Sequence, residues 1–293
     1  MSEPTRLLPD SHPICIVTGA SAGIGRETAR GMAERGYSVV LIGRDAARTE
    51  SAADYVRAHA RGTTAVAKLC DFSSLAAVRG LAAELLAGLP RIDVLINNAG
   101  LWHPRRVLSR DGIEDTLAVN HLAPFLLTNL LLPRLRSLPE ARVVVVSSRL
   151  HEKRTRLDLD DLQSTKKYQG LSVYTQSKLC NALFSRELAE RLRGSSVTSN
   201  ALHPGDVVSD ILRERPLLRF FGRLANAFVD TPTTAARTSI HVATSPELRG
   251  VSGAYFKKEK PAQSSPLCED RAVRERLWQI SAELVGIDGG AVQ

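Results

Sequence analysis

The stretch Ile14-Cys15-Ile16-Val17-Thr18-Gly19-Ala20-Ser21-Ala22-Gly23-Ile24-Gly25 decides how this chain is read. Its first part is apolar and rich in β-branched residues, as a short buried strand is. Glycines at 19, 23 and 25 interrupt it, and Arg26-Glu27-Thr28-Ala29-Arg30-Gly31-Met32-Ala33 then runs at helical spacing. Strand, glycine turn and helix together make a phosphate cradle. The glycines let the backbone turn tightly and approach a pyrophosphate, and the helix N-terminus offers free N–H groups and a partial positive charge. A plain βα turn would use its glycines only for packing. The flanking strand and helix, and further signals downstream, favour the cradle.

Composition bounds the rest. A chain of 293 residues is one large α/β domain or two small ones, and it is long enough to bury a sizeable core. No internal repeat, low-complexity run or linker divides it, so residues 1–293 are read as a single domain. Cys15, Cys70, Cys180 and Cys268 form no CxxC pair, which argues against a disulfide framework or a metal site. No apolar run reaches the roughly 18 residues of a bilayer span. Met1–Asp10 lacks the apolar core of a secretory signal. The expectation is a cytoplasmic protein with at most peripheral membrane contact. The net charge of +8 admits nucleic acid, an anionic surface or a phosphorylated cofactor as partner, or simply a solvated basic surface. No helix-turn-helix or zinc-finger pattern supports nucleic acid.

Outward from the first βα unit, Gly36 ends the helix and Ser38–Ile42 reads as a second strand. It ends in Gly43-Arg44-Asp45. In dinucleotide folds an acid at this point binds the ribose 2′-hydroxyl, whereas an arginine suits a 2′-phosphate. Gly43 removes the acid and Arg44 supplies the cation, which points to NADP; the alternative for Arg44 is a plain surface role. Asp45 is placed to cap the next helix. A third strand, Thr64–Leu69, leads to Asp71, which either meets an adenine or caps the helix from about Ser73 to Leu86. A fourth, Ile92–Ile96, ends in Asn97-Asn98-Ala99-Gly100, whose amides can bridge strands. Strands alternating with helices imply a parallel, doubly wound three-layer α/β sheet.

Gly112 to Leu135 reads as a long apolar helix containing Asn120 and Pro124. Proline has no N–H for the carbonyl four residues back, so the Asn120 carbonyl is left for another partner such as water. Alternatively, a kink there is satisfied by neighbouring side chains. Arg142–Val146 is a fifth strand, buried on both faces and ending in Ser147-Ser148. Tyr174 and Lys178, four apart at the head of a helix running to about Arg193, face the same way. A nearby ammonium lowers a phenol's pKa from its ordinary value near 10. The pair is then a general acid/base, and a serine hydroxyl beside it can hold a substrate oxygen as charge develops.

Thr18-Gly19-x-x-x-Gly23-Ile24-Gly25, Asn97-Asn98-Ala99-Gly100, Asn120, Ser148, Tyr174-x-x-x-Lys178 and His203-Pro204-Gly205 occur in the order and spacing of the short-chain dehydrogenase/reductases. The resemblance runs from about Ile14 to Ile287. Its nearest branch is retinol dehydrogenase-like, on the stretches Leu157–Gln163, Ser177–Asn181, Thr231–Ala236 and Glu275–Trp278. It implies a Rossmann fold and an oxidoreductase moving a hydride between NADP, less well NAD, and a lipophilic aldehyde, ketone or alcohol. It also implies catalytic roles for Asn120, Ser148, Tyr174 and Lys178. The implied cofactor contacts are Gly19, Ser21, Ala22, Gly23, Ile24, Gly25, Arg44, Asp71, Phe72, Asn98, Ala99, Gly100, Tyr174, Lys178, Pro204, Gly205, Val207 and Ser209. The chain departs from the pattern at Pro124 and Asp206, and neither Ser21 nor Ala22 is basic. A non-catalytic NADP-binding regulator on the same fold is the alternative; intact Ser148, Tyr174 and Lys178 argue against it.

After the sixth strand, Val197–Leu202, residues 206–230 interleave Arg213, Arg215, Arg219 and Arg223 with Leu217, Leu218, Phe220 and Phe221. By resemblance this is the substrate lid; from the pattern alone a helix packing its apolar face on the core is the commoner reading, and a basic helix on a membrane surface is another. Gly253–Phe256 is read as a seventh, edge strand and Arg271–Val285 as the closing helix. A homo-oligomer is admitted as a partner.

Overall fold

A computed structural model of the chain describes residues 7–9, 11–206 and 230–290. Among the described residues, one eight-stranded sheet has the order β3-β2-β1-β4-β5-β6-β7-β8. Its strands are β1 (Ile14–Thr18), β2 (Ser38–Gly43), β3 (Ala65–Leu69), β4 (Val94–Asn97), β5 (Ala141–Val146), β6 (Val197–His203), β7 (Tyr255–Lys257) and β8 (Lys260–Pro261). All neighbours pair in parallel except β7 and β8. β1, β2, β4, β5 and β6 are buried throughout, as expected for strands covered on both faces.

Helices α1 (Gly23–Ala33), α2 (Ala46–Arg57) and α6 (Pro232–Thr244) cover one face, where Ala29, Met32, Ala52, Val56, Ala236 and Ile240 are buried with alternate residues of the strands. On the other face lie α3 (Leu75–Gly88), α5 (Gly170–Arg191) and α7 (Arg271–Val285) with α4 (Asp115–Arg136). There Leu85, Phe125, Leu131, Leu183 and Trp278 join the second core cluster. This is the doubly wound three-layer sheet expected from the sequence. The strand order reverses between β1 and β4, and such a switch point opens a crevice at the carboxyl ends of the strands.

Three elements differ from the sequence reading. Tyr174 lies one turn inside α5 rather than at its head, because the helix starts at Gly170 with an uncapped Gln169. That start is set by packing: a Cβ on Gly170 would lie 2.3 Å from the His103 carbonyl oxygen. Second, β7 is not the edge strand, since β8 pairs with it through a tight turn. Lys258 and Glu259 take φ of 50° and 63° in that turn, a conformation that ordinarily announces itself by Asn or Gly. Third, α4 is 22 residues long and, among the described residues, is apolar enough to cross a membrane by length and composition. The sequence reading expected a long apolar helix here, from Gly112 to Leu135, but no run of bilayer length; Asn120, His121 and Thr128 interrupt the unbroken apolar run. Of its apolar window 83% is buried, as in a core helix.

α4 also contains one π-helical turn, Ala118–Leu122, which ends two residues before Pro124. A proline ring collides with the carbonyl four residues earlier. Widening the helix at that carbonyl, Asn120, relieves the collision and places a π-turn at the candidate site.

Candidate functional site

The cradle is built by the end of β1. Gly19 and Gly23 adopt φ of 66° and 56°, in the left-handed region that glycine enters freely. A Cβ on Gly25 would lie 2.3 Å from the Gly19 carbonyl oxygen and 2.6 Å from Asn98 Nδ2, so α1 packs on the turn with no room for a side chain. A Cβ on Gly23 would meet nothing within 4 Å: that side of the turn is open. Ala22, the residue before α1, makes no side-chain cap. The first N–H groups of α1 therefore face the opening without a side-chain acceptor, and this donor set fits a dinucleotide pyrophosphate.

The β4 end closes the cradle's other wall. Asn98 Nδ2 donates to the Thr18 carbonyl at 2.9 Å and to that of Gly19 at 3.3 Å. The backbone N–H groups of Asn98 and Ala99 donate to Thr18 Oγ1 at 2.9 and 3.0 Å. The amides do bridge strands, as their position implied, and Asn97 donates instead to Thr128 Oγ1 at 2.9 Å.

At the end of β2, a Cβ on Gly43 would fall 2.2 Å from Thr49 Oγ1 and 3.1 Å from the Ser21 Cβ. Gly43 thus brings Ser21 of the cradle against the start of the Arg44 loop. Arg44 is exposed, and Asp45 accepts the Arg48 N–H at 2.8 Å, capping α2. Asp71 is not the cap of α3; Ser74 is. Asp71 accepts from Ser73 N and Oγ at 3.1 and 2.8 Å and from Arg110 Nε at 3.1 Å. Burial acts to raise its pKa, but the Ser73 hydrogen bonds and the charges of Arg110 and Arg44 hold it below the usual carboxylate value. Phe72 is buried in the core on the α3 side.

The second half of the site lies where β5 and α5 meet. Lys178 Nζ donates to the Val146 carbonyl at 3.2 Å and sits over the Tyr174 ring, 5.7 Å from its centroid. Ser147 Oγ donates to the Lys178 carbonyl at 2.6 Å. Asn120 reaches over from the π-turn: its Oδ1 accepts Leu101 N at 2.7 Å, and its Nδ2 donates to the Leu101 carbonyl and to Ser177 Oγ, each at 2.9 Å. Ser177 Oγ in turn donates to the Tyr174 carbonyl at 2.8 Å. A Cβ on Gly100 would be 3.2 Å from Lys178 Nζ and 3.4 Å from Asn120 Oδ1. Glycine there keeps the Asn97–Gly100 turn close to both. Asn120, Tyr174, Lys178 and the β4 turn are therefore one contiguous group, with Ser148 two residues past Val146.

Electrostatics in this pocket differ from the sequence expectation. Burial pushes Lys178 down to about 8 and Tyr174 up to about 12. Burial outweighs the ammonium's pull on the phenol, so the free chain carries a protonated tyrosine at neutral pH, the form that gives a proton.

The turn after Ser148 was not read from the sequence. Ser148 is 8% exposed, and its Oγ accepts Leu150 N at 3.4 Å. Arg149 Nε donates to Asp206 Oδ1 at 2.6 Å. His151, fully buried, uses Nδ1 toward the Ser148 carbonyl and, at 3.1 Å, Ser147 Oγ, with Nε2 2.8 Å from Ser264 Oγ. Glu152 accepts from Tyr255 Oη at 3.0 Å and from Lys257 Nζ at 3.0 and 3.1 Å. A polar residue at every position but Leu150 was the available signal; the partners lie too far along the chain to be paired from sequence. Pro204 and Gly205 follow β6 directly. Val207, Ser209 and all but the two ends of the 206–230 segment lie outside the described residues.

A phosphate cradle at the switch point and a tyrosine–lysine pair across the crevice define a nicotinamide-dependent oxidoreductase acting on CH–OH or carbonyl groups. The short chain dehydrogenase family model matches residues 13–217. Retinol dehydrogenase 14 of Mus musculus is 44% identical over 286 residues, covering 93% of this chain and 85% of that protein. Retinol dehydrogenase 12 of Homo sapiens is 42% identical over 274 residues, covering 94% and 86%. The crystal structure of an uncharacterized protein from Mycobacterium Paratuberculosis superposes with a TM-score of 0.76 at 31% identity, covering 96% of this chain and 97% of that one. The chain belongs to the short chain dehydrogenase family.

Proposed function

We propose that the chain is an NADP-dependent reductase or dehydrogenase of lipophilic, retinoid-like carbonyls and alcohols. The observation that carries the substrate class is the 42–44% identity to retinol dehydrogenases 12 and 14 over nearly the whole chain. Leu150 and Leu171, large apolar residues left 44% and 62% exposed, support it: one lies two residues after Ser148, the other three before Tyr174. An apolar substrate covering them would gain about 25 cal/mol per Å² of apolar area removed from water. The bound nicotinamide gives or takes the hydride. Tyr174 Oη passes the proton to or from the substrate oxygen, Ser148 Oγ donates a hydrogen bond to that oxygen, and Lys178 keeps a positive charge beside the phenol. Asn120 fixes the Leu101 backbone next to them. Ser21, Ala22, Ile24, Asp71, Asn98 and Ala99 line the cofactor side with the glycines, Pro204 and Gly205. The setting in this reading is cytoplasmic.

The NADP preference rests on Arg44, an exposed cation at the end of β2 where Gly43 replaces an acid. Arg44→Ala is expected to weaken NADPH by roughly 1.5–3 kcal/mol, the worth of a hydrogen bond to a charged group, and to leave NADH nearly unchanged. Titrating both cofactors against both proteins tests this; an unchanged affinity ratio refutes it. The substrate class is tested by following NADPH oxidation with a series of aldehydes of rising chain length and with retinal. Rates that ignore chain length and ring content would end the lipophilic reading.

A further inference from the structure

We propose that Arg149 is a positioning residue: its ion pair with Asp206 fixes the turn that begins at Ser148 against the end of β6 and so sets the direction of the serine hydroxyl. The proposal rests on the reading of Ser148 as the group that holds the substrate oxygen.

Asp206 is the residue whose place after Pro204-Gly205 departs from the family pattern, and the structure shows what it does. Its carboxylate takes Arg149 Nε at 2.6 Å. Its backbone is held independently: Asp206 N donates to Asp230 Oδ2 at 3.0 Å and Asp230 N to the Asp206 carbonyl at 2.8 Å. Gly205 has φ of 141°, and a Cβ on it would lie 2.6 Å from Asp230 Oδ2. The Asp206 side of the pair is thus an anchored point. On the Ser148 side the carbonyl accepts from His151 N and Nδ1, whereas the hydroxyl has a single, long contact among the described residues, from Leu150 N at 3.4 Å. Arg149 spans from the anchored point to the residue next to the serine.

Stability is a poor explanation for the pair. Its side chains are 52% and 49% exposed, and pairs so exposed to water and salt contribute little to folding. Among the described residues, the other titratable group facing the Asp206 carboxylate is His203, whose Nε2 is 3.6 Å away. Burial drops the His203 pKa to about 4, so at neutral pH it brings no charge that could replace the guanidinium. What remains is geometry. A misplacement of about 1 Å in a reacting group costs up to roughly 10²-fold in rate, so an exposed pair with little effect on folding can still set turnover.

The test uses the full chain. Arg149→Met and Asp206→Asn are each expected to lower kcat on the preferred aldehyde about 10-fold, with cofactor affinity and melting temperature unchanged. The charge swap, Arg149→Asp with Asp206→Arg, is expected to regain most of the loss. Single variants at wild-type kcat, a swap no better than either single, or a matching loss of cofactor affinity or melting temperature would each overturn the positioning role. Amide hydrogen exchange at Leu150 and His151 gives a readout that needs no substrate. It is expected to quicken several-fold in Arg149→Met, and unchanged exchange overturns the proposal even if no aldehyde tried is turned over. A wild-type chain inactive on every carbonyl and alcohol, yet with quickened exchange in the variant, would instead overturn the substrate reading and leave Arg149 as the anchor of its turn.

Discussion

Tyr174→Phe is expected to cut turnover by at least ~10²-fold while cofactor binding survives, the range typical of removing a general acid/base. The substitution keeps the ring, and with it the aromatic face under the Lys178 ammonium, 5.7 Å from the centroid. It removes the oxygen to which the proposed mechanism assigns the transferable proton. Burial raises the phenol to about 12, so the wild-type group is fully protonated at neutral pH and competent to give its proton to an oxygen gaining charge. Steady-state rates beside a fluorescence titration of NADPH separate chemistry from binding. A phenylalanine variant that works at the wild-type rate would remove Tyr174 from the mechanism.

Lys178→Met is expected to abolish most activity and to make the free protein more stable at pH 7. Lys178 is 3% exposed, and burial lowers its pKa from 10.5 to about 8. That drop corresponds to roughly 3 kcal/mol of disfavoured charge, against which the bond to the Val146 carbonyl is a partial offset. Methionine fills a similar volume without the charge, so a gain of about 1–3 kcal/mol is expected. The sign with pH follows from the lowered folded-state value. Below pH 8 the folded lysine is charged and the cost is present in full. Between pH 8 and 10.5 the folded lysine is neutral while the unfolded one is still charged, so the cost fades, and above 10.5 it is gone. Chemical denaturation of both proteins at pH 7 and pH 10 should show the variant's advantage shrinking. A variant less stable than wild type at pH 7 would mean that the lost hydrogen bond outweighs the buried charge.

The parts of the site that were legible in sequence are those whose chemistry is local. Gly19, Gly23 and Gly25 announce the cradle because only glycine fits each of their constraints, and a four-residue spacing places Tyr174 and Lys178 on one face of any helix. Pro124 even foretold the disturbance at Asn120, although the chain resolves it by a π-turn within a continuous helix rather than by a kink. What stayed hidden depends on distant partners. The pocket's effect on Tyr174 could not be read, because burial is a property of the fold and it outweighs the neighbouring charge. Gly170 begins α5 where His103 and Trp102 leave no room for a side chain, and Gln169 gives no capping signal. Arg149 and Asp206 are 57 positions apart; Asp206 stood out as a departure from the family pattern, but its partner could not be named until β5 and β6 lay side by side. Phe220 and Phe221, which the sequence pattern offers as a substrate wall, fall outside the described residues.

The β7–β8 turn has a consequence for how copies of this chain can meet. A sheet normally leaves two rows of free backbone groups at its margins, where another chain can add a strand. On this margin the last strand is only Lys260–Pro261, and proline has no N–H to share with a newcomer. The hairpin is therefore a stop: it folds the sheet's own end back on itself and closes with a residue that cannot continue the ladder. Self-association by continuing the sheet past β8 is disfavoured, and exposed margins of this kind are where soluble β-proteins otherwise begin to aggregate. Lys258 and Glu259 hold left-handed backbone conformations at some energetic cost, which the pairing of β7 with β8 offsets.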